Sequence, residues 1–226
     1  MTADADTDFV AATRVFYDAI AEDYFARFRS GLAAQPLERA VLAAYAEFVR
    51  GSGGGGGQVA DLGCGPGWVT ALLDSLGLPV FGLDLSESML AVARREHPGL
   101  RFEQGSMLEL DLPDGTLAGV VSWYSTIHTP AERLPALFAE FRRVLAPGGH
   151  LLLGFQVGDE PKHHDQPFGR PVSMDFQRRR PDRIAALLTE AGFALTSQTV
   201  RAANEETGES SPHAFLMARR PLGQDT

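Results

Sequence analysis

Apolar positions along the chain follow two rhythms. From Phe9 to Phe28 they return at helical intervals, with Val15, Phe16, Ala19, Ile20 and Tyr24 making one face, and a second helix is expected over Leu37–Val49. Beyond residue 57 the rhythm shortens. Gln58–Leu62, Pro79–Leu83, Leu100–Gln104, Ala118–Trp123 and His150–Phe155 are short apolar runs, as in strands covered on both faces of a parallel sheet. The segments between them carry helical signals. Ser86 is placed to cap a helix holding Met89, Leu90 and Ala93, and Leu134, Leu137, Phe138, Phe141, Val144 and Leu145 form a stripe stopped by Pro147-Gly148-Gly149. A helix over Asp182–Glu190, with Gly192 at its C-terminal cap, leads to a strand near Phe193–Val200. After the turn-rich stretch Asn204–Pro212, a last strand at Ala214–Ala218 pairs with it as a hairpin. The pattern is that of an α/β domain with a mostly parallel, doubly wound sheet.

Two stretches break the rhythm. Gly51-Ser52-Gly53-Gly54-Gly55-Gly56-Gly57 offers nothing to pack and reads as a flexible link. It divides the chain into an N-terminal helical cap with its linker, 1–57, and an α/β body, 58–221. The second stretch, Gln156 to Arg180, shows no regular pattern; loops of that length are uncommon unless they serve as lids or binding segments, and 156–180 is expected to be one.

Composition narrows the possibilities. At 226 residues and 44% hydrophobic content the chain can bury one sizeable core. Twenty basic residues against 29 acidic ones, a net charge of −9, weigh against a nucleic-acid partner, and Arg178-Arg179-Arg180 reads as a solvated strand end or loop. The single cysteine, Cys64, excludes a disulfide within the chain and an all-cysteine iron–sulfur cluster, and reads as a small packing residue. The histidines lack metal-ligand spacing, so no metal is expected. Met1–Asp8 is acidic and polar, unlike a signal or transit peptide, and no apolar run approaches membrane-spanning length; a cytoplasmic protein without a membrane partner is expected, as monomer or homodimer.

The candidate chemistry begins at Val59-Ala60-Asp61-Leu62-Gly63-Cys64-Gly65-Pro66-Gly67, where an apolar strand runs into an acid and three alternate glycines. Such a turn lets a ligand approach backbone N–H groups at a helix start. In the dinucleotide fingerprint the turn cradles a pyrophosphate. Here Trp68 takes the place of the last glycine and Asp61 would repel phosphate, so the turn suits a nucleoside with positive charge and no phosphate. Asp84 ends the next strand roughly 20 residues on, the spacing of an acid that reaches ribose hydroxyls.

The glycine turn, Asp61 and Asp84 together resemble motif I and the ribose-binding acid of the class I S-adenosylmethionine-dependent methyltransferases, in particular the small-molecule, ubiquinone/menaquinone-biosynthesis-like group of types 11 and 25. The resemblance covers about Gln58–Arg219. It implies a seven-stranded sheet of order 3-2-1-4-5-7-6 with strand 7 antiparallel. It also implies S-adenosylmethionine as cofactor, S-adenosylhomocysteine as product, and methyl transfer to a small-molecule acceptor. The cofactor set it implies is Asp61, Gly63, Cys64, Gly65, Gly67, Asp84, Leu85 and Met89, with Gly105, Ser106 and Met107 after strand three and Ser122 at the end of strand four.

On the acceptor side the resemblance points to the loop Ser122-Trp123-Tyr124-Ser125-Thr126-Ile127-His128. The cap sequence Tyr17-Asp18-Ala19-Ile20-Ala21-Glu22-Asp23-Tyr24 is similar to the Tyr-Asp-x-x-Ala-x-x-Tyr helix of many small-molecule methyltransferases, with both tyrosines on one helical face. His128 is the expected acid–base group, because imidazole titrates near neutrality, with Tyr17 or Tyr24 orienting the acceptor or relaying a proton. Trp123, Tyr124, Gln156, His163, His164 and Phe168 complete the expected acceptor set. The Asn/Asp-Pro-Pro-Tyr motif of base-methylating enzymes is absent after strand four. A flat, partly aromatic acceptor methylated at oxygen, nitrogen or an electron-rich carbon such as an indole position is expected. A non-catalytic S-adenosylmethionine sensor and an NAD(P)-dependent oxidoreductase are the alternatives.

Overall fold

The computed structural model describes residues 3–51, 57–204 and 208–223. Two helices, α1 (Ala3–Phe28) and α2 (Pro36–Gly51), precede the alternating body. The body runs β1 (Val59–Leu62), α3 (Trp68–Ser75), β2 (Val80–Asp84), α4 (Glu87–Glu96), β3 (Arg101–Gln104), β4 (Leu117–Trp123), α5 (Leu134–Val144) and β5 (Leu145–Gln156). A small hairpin, β6 (Lys162–Asp165) and β7 (Ser173–Phe176), comes next, followed by α6 (Pro181–Glu190), β8 (Ala194–Arg201) and β9 (His213–Arg219).

The main sheet has the order β3-β2-β1-β4-β5-β9-β8. Its first five strands are parallel, and β9 runs antiparallel to both β5 and β8. With the separate β6–β7 hairpin set aside, this is the expected 3-2-1-4-5-7-6. Alternate residues of the strands feed two cores. Leu62, Leu83, Val120, Leu151 and Leu153 meet Leu137, Phe138 and Phe141 of α5 and Ile184 and Leu188 of α6. Val59, Val121, Leu152 and Phe215 meet Leu42 and Tyr45 of α2 and Leu73 of α3 on the other face. Tyr45 is seated deeply because β4 carries Gly119 beneath it: a Cβ there would stand 2.1 Å from the Tyr45 hydroxyl. Helix α2 is thus built into the layer covering the sheet. Helix α1 lies against α4, with Ala21 packed on Met89 and Val92.

Three local expectations change. The stripe of α5 ends at Val144, since Leu145 already turns extended, and β5 starts there rather than at His150, running through Pro147-Gly148-Gly149 with Gly148 at φ +84°. The 156–180 segment is not irregular throughout: β6 and β7 pair in it. Lys-His-His-Asp lacks the apolar alternation that marks a strand, and Ser-Met-Asp-Phe shows it over four residues only, too short a run to stand out. The expected link falls mostly outside the described residues, at 52–56; Gly57 itself is pressed against β4, where a Cβ would lie 3.1 Å from the Ala118 nitrogen.

Candidate active site

In a doubly wound sheet, ligands sit beyond the carboxyl ends of the strands where the strand order reverses. Between β1 and β4 of this sheet a cavity opens at that point, lined by the ends of β1, β2, β3 and β4 and by α1. The glycine turn is folded over the tip of β2: the Gly63 and Cys64 N–H groups both donate to Leu83 O, at 2.7 and 3.0 Å. Gly63 has φ +73°, and a Cβ on it would stand 2.3 Å from Ser125 Cβ, so only glycine lets the loops after β1 and β4 close on one another. Around Gly65 the opposite holds: nothing lies within 4 Å of where its Cβ would be, leaving its backbone open to a ligand.

Two acids face this cradle. Asp61 is buried, with Oδ2 accepting from Thr70 Oγ1 at 2.6 Å and Oδ1 without a partner. Burial pushes its pKa up to about 7 despite the Thr70 bond, with neighbouring Asp84 adding to the rise. Asp84 is held by backbone donors on both oxygens, Gly65 N–H to Oδ2 at 2.8 Å and Ser86 N–H to Oδ1 at 2.9 Å. Desolvation raises it, and those N–H bonds oppose the rise. An orphaned carboxylate oxygen and an open glycine backbone in one cavity fit a ligand that carries positive charge on a nucleoside. Leu85, Met89, Gly105, Ser106, Met107 and Cys64 line the same space. Ser106 Oγ accepts from Leu108 N–H at 3.2 Å, which is its turn role, while the residue still borders the cavity. Burial pushes the Cys64 thiol up, and the side chain packs with Leu90, Ala93 and Phe102.

Not every expected residue reaches the site. Gly67 turns away and serves packing: its Cβ would lie 2.7 Å from the Phe102 ring. Ser122 is buried beneath the floor, sharing a 2.5 Å hydrogen bond with Ser125 Oγ, whose hydroxyl donates to Leu62 O. Trp68, Phe9, Val10 and Thr13 line the cavity although none was expected to. The α1 residues had a signal, since Phe9, Thr13, Tyr17 and Tyr24 continue one helical face. Trp68 had one too, as the departure from the dinucleotide pattern: it stacks on Tyr24 and Phe25 of the cap, ring centroids 5.9 and 6.0 Å apart.

The cap helix is positioned residue by residue. Asp18 Oδ1 accepts from Ser86 Oγ at 2.6 Å and from Ser88 N–H at 3.2 Å, docking α1 on the start of α4, where Ser86 Oγ also accepts from Met89 N–H. Tyr17, the residue before Asp18, and Tyr24, six residues after it, enter the cavity, their rings edge to face at 6.2 Å. The Tyr17 hydroxyl and His128 Nε2 share a 2.7 Å hydrogen bond, while His128 Nδ1 is buried without a partner. Burial pushes the His128 pKa down to about 3, helped by nearby His164 and Arg179. Arg179 itself is buried and donates to Thr129 O, and Gln177 N–H donates to Ile127 O, so the 177–179 segment fastens the loop that carries His128. Tyr17 is raised well above the usual phenol range, and Tyr24 to about 12, by burial first.

A second cavity, about 460 Å³, adjoins the first across a shared wall of Tyr17, Tyr24, Trp68, Val69, Trp123 and Tyr124. Gln156, His164 and Phe168 line it as expected; His128 borders only the first cavity. His163 is absent from the lining, because strand alternation turns it to the outer face of the hairpin, where its Nδ1 pairs with Asp175 at 2.7 Å. Arg178 also enters the lining, against the expectation that the triple-arginine run is solvated. Glu38, Glu209 and His213 form a further, unexpected wall. Arg201 bridges Glu38 and Glu209 at 2.8 and 2.5 Å, and the Tyr124 hydroxyl lies 2.5 Å from His213 Nδ1 and 3.2 Å from Glu38. Among the described residues no group of three or more His, Cys, Asp or Glu is placed to hold a metal, and no helix is long and apolar enough to cross a membrane.

The fold is an α/β domain of the methyltransferase type. Residues 59–149 match the family described as "Methyltransferase domain". The chain is 39% identical over 155 residues to a trans-aconitate 2-methyltransferase of Methylobacterium nodulans, covering 65% of this chain and 53% of that protein. It is 36% identical over 107 residues to a malonyl-[acyl-carrier protein] O-methyltransferase of Serratia marcescens, covering 45% and 39%. The chain spans about half the length of the curated relatives it matches. Its fold is shared with an S-adenosylmethionine-dependent methyltransferase from Mesorhizobium loti, TM-score 0.64 at 24% identity over 84% of this chain and 100% of that one. It is also shared with the magnesium protoporphyrin IX methyltransferase of Synechocystis, TM-score 0.68 at 18% identity over 94% and 97%.

Proposed function

We propose that the protein transfers the methyl group of S-adenosylmethionine to a small acceptor whose flat, apolar part occupies the second cavity. The observation that carries this reading is the shared aromatic wall: the acidic nucleoside cradle and the aromatic cavity meet at Tyr17, Tyr24, Trp68, Trp123 and Tyr124. The cofactor supplies a methyl group already activated by positively charged sulfur. What remains for the chain is to align the reactants and exclude water, and such alignment can contribute roughly 7–11 kcal/mol. Asp84 would hold the ribose hydroxyls, Asp61 the cationic end, and the stacked Tyr24–Trp68 pair would keep solvent out. His128, with a pKa near 3, is a poor base at neutral pH; protonating it there would cost about 5 kcal/mol. Its role in this reading is to orient the Tyr17 hydroxyl toward the junction of the cavities. The names of the two curated relatives support methyl transfer as the activity, and one of them specifies oxygen as the atom methylated in that protein's substrate.

Calorimetry with S-adenosylmethionine, S-adenosylhomocysteine and NAD tests the cofactor assignment. Hydrogen bonds to a charged group are worth about 1.5–3 kcal/mol, so Asp84→Ala should weaken the nucleoside by about ten- to a hundredfold. Tight binding of NAD in its place would overturn the reading in favour of an oxidoreductase. Mass spectrometry for the gain of one methyl group on candidate aromatic metabolites separates a catalyst from a sensor.

A further inference from the structure

The chain carries a net charge of −9 and a single lysine, Lys162, which lines the second cavity. Strand alternation places it there. In the hairpin, Lys162 pairs across from Phe176 and His164 from Met174, and these residues share the inner face, while His163 and Asp175 share the outer one. The carboxylate nearest in register is therefore spent on the outside, in the His163–Asp175 pair. Just past β7, Arg178 enters the same cavity, its stem laid over Gly158, where a Cβ would lie 2.8 Å from Arg178 Cδ. Its guanidinium donates to Ser210 Oγ at 2.9 Å and forms no ion pair among the described residues, nor does Lys162. The basic groups are close together: both Lys162 and Arg178 help depress the pKa of His164, after its burial.

The acids of this cavity do not offset that charge. Glu38 and Glu209 are both committed to Arg201, and Asp23, on α1, is taken by Arg170 at 2.7 Å. What is left is an aromatic chamber with one uncompensated cationic edge. A guanidinium fork and an ammonium beside an apolar wall are the groups that read a carboxylate or phosphate.

We infer that the acceptor carries an anionic group, recognised by Lys162 and Arg178, with its flat body against Tyr24, Trp123 and Phe176. This rests on the methyltransferase reading and names the acceptor's chemical class. The test uses the full chain saturated with S-adenosylhomocysteine, titrated calorimetrically with 2-naphthoate, 2-naphthyl phosphate and the neutral 2-naphthamide. At least one anion should bind tenfold or more tightly than the amide, and which one does distinguishes carboxylate from phosphate. Lys162→Gln with Arg178→Gln should abolish that preference and leave S-adenosylhomocysteine affinity unchanged. Lys162→Gln alone, at an exposed position, should reduce the preference severalfold without disturbing the fold. Equal binding of amide and anions, no binding by any of the three, or a preference that survives the double substitution would overturn the inference. Failure of S-adenosylhomocysteine itself to bind would strike the cofactor assignment instead, and the inference would fall with it.

Discussion

Asp61 shows how one side chain can set both stability and binding. Its pKa rises from the usual 3.8 to about 7 in the folded chain. Between those values the folded chain holds a proton that the unfolded chain has released, so stability falls as pH rises through this window and stays low above it. Asp61→Asn should therefore stabilise the ligand-free protein at pH 8 by on the order of a few kcal/mol, read as a higher melting temperature, and change it little at pH 4. A cationic ligand favours the ionised form, so the affinity for S-adenosylmethionine should increase from pH 6 to pH 8 in the natural protein and be weak and pH-independent in the variant. Tyr17 gives a second residue-scale expectation. Tyr17→Phe strands His128 Nε2 as it already leaves Nδ1, and should cost about 1–3 kcal/mol in urea unfolding along with a slower turnover. The acids and glycines of the first turn were legible in the sequence because their motif is contiguous. The low basicity of His128 was not, since it depends on burial in the assembled fold and on the charges of His164 and Arg179, more than 30 positions away.

Among the elements, α1 has most of its contacts to the body written in eight residues. Tyr17, Asp18, Ala21 and Tyr24 respectively reach His128, the start of α4, the Met89–Val92 surface and Trp68. Asp18 fixes the helix on the body, and a hydrogen bond to a charged acceptor is worth about 1.5–3 kcal/mol. Asp18→Ala should accordingly make amide exchange in residues 9–28 about tenfold faster or more while β1, β4 and β5 stay protected, as read by exchange mass spectrometry. Unchanged exchange would show that packing alone holds α1. The hairpin between β5 and α6 was the element least visible beforehand. Its pairing is sustained by one inner face, Lys162, His164, Met174 and Phe176, set against α1 and the β4 loop, a partnership no local pattern announces. Its tip is also unusual, with Gln166 and Phe168 at φ +43° and +56°, values that favour glycine.

At the scale of the molecule, Glu38, Arg201 and Glu209 join α2 to β8 and to the connection before β9, closing one end of the second cavity. Glu38 and Arg201 are 163 residues apart. Burial raises Glu38, and the Arg201 bonds oppose that. Removing one partner of a buried ion pair typically costs about 3–5 kcal/mol, so Arg201→Met should destabilise the fold by that order. The loss should be larger at pH 8 than at pH 4.5, where the two stranded carboxyls can take up protons; denaturation curves at both values check it.

The sequence by itself determined the strand and helix rhythm, the glycine turn with its two acids, and the cap helix with its paired tyrosines. Each of these is a short-range pattern, legible because the residues that act together are neighbours along the chain. Only the tertiary structure decided that His128 is held neutral against Tyr17, that His163 faces outward and Lys162 inward, and that Arg178 enters a cavity while Arg179 clamps a loop. Those outcomes depend on which distant surfaces meet, and on the burial and charge that the meeting imposes.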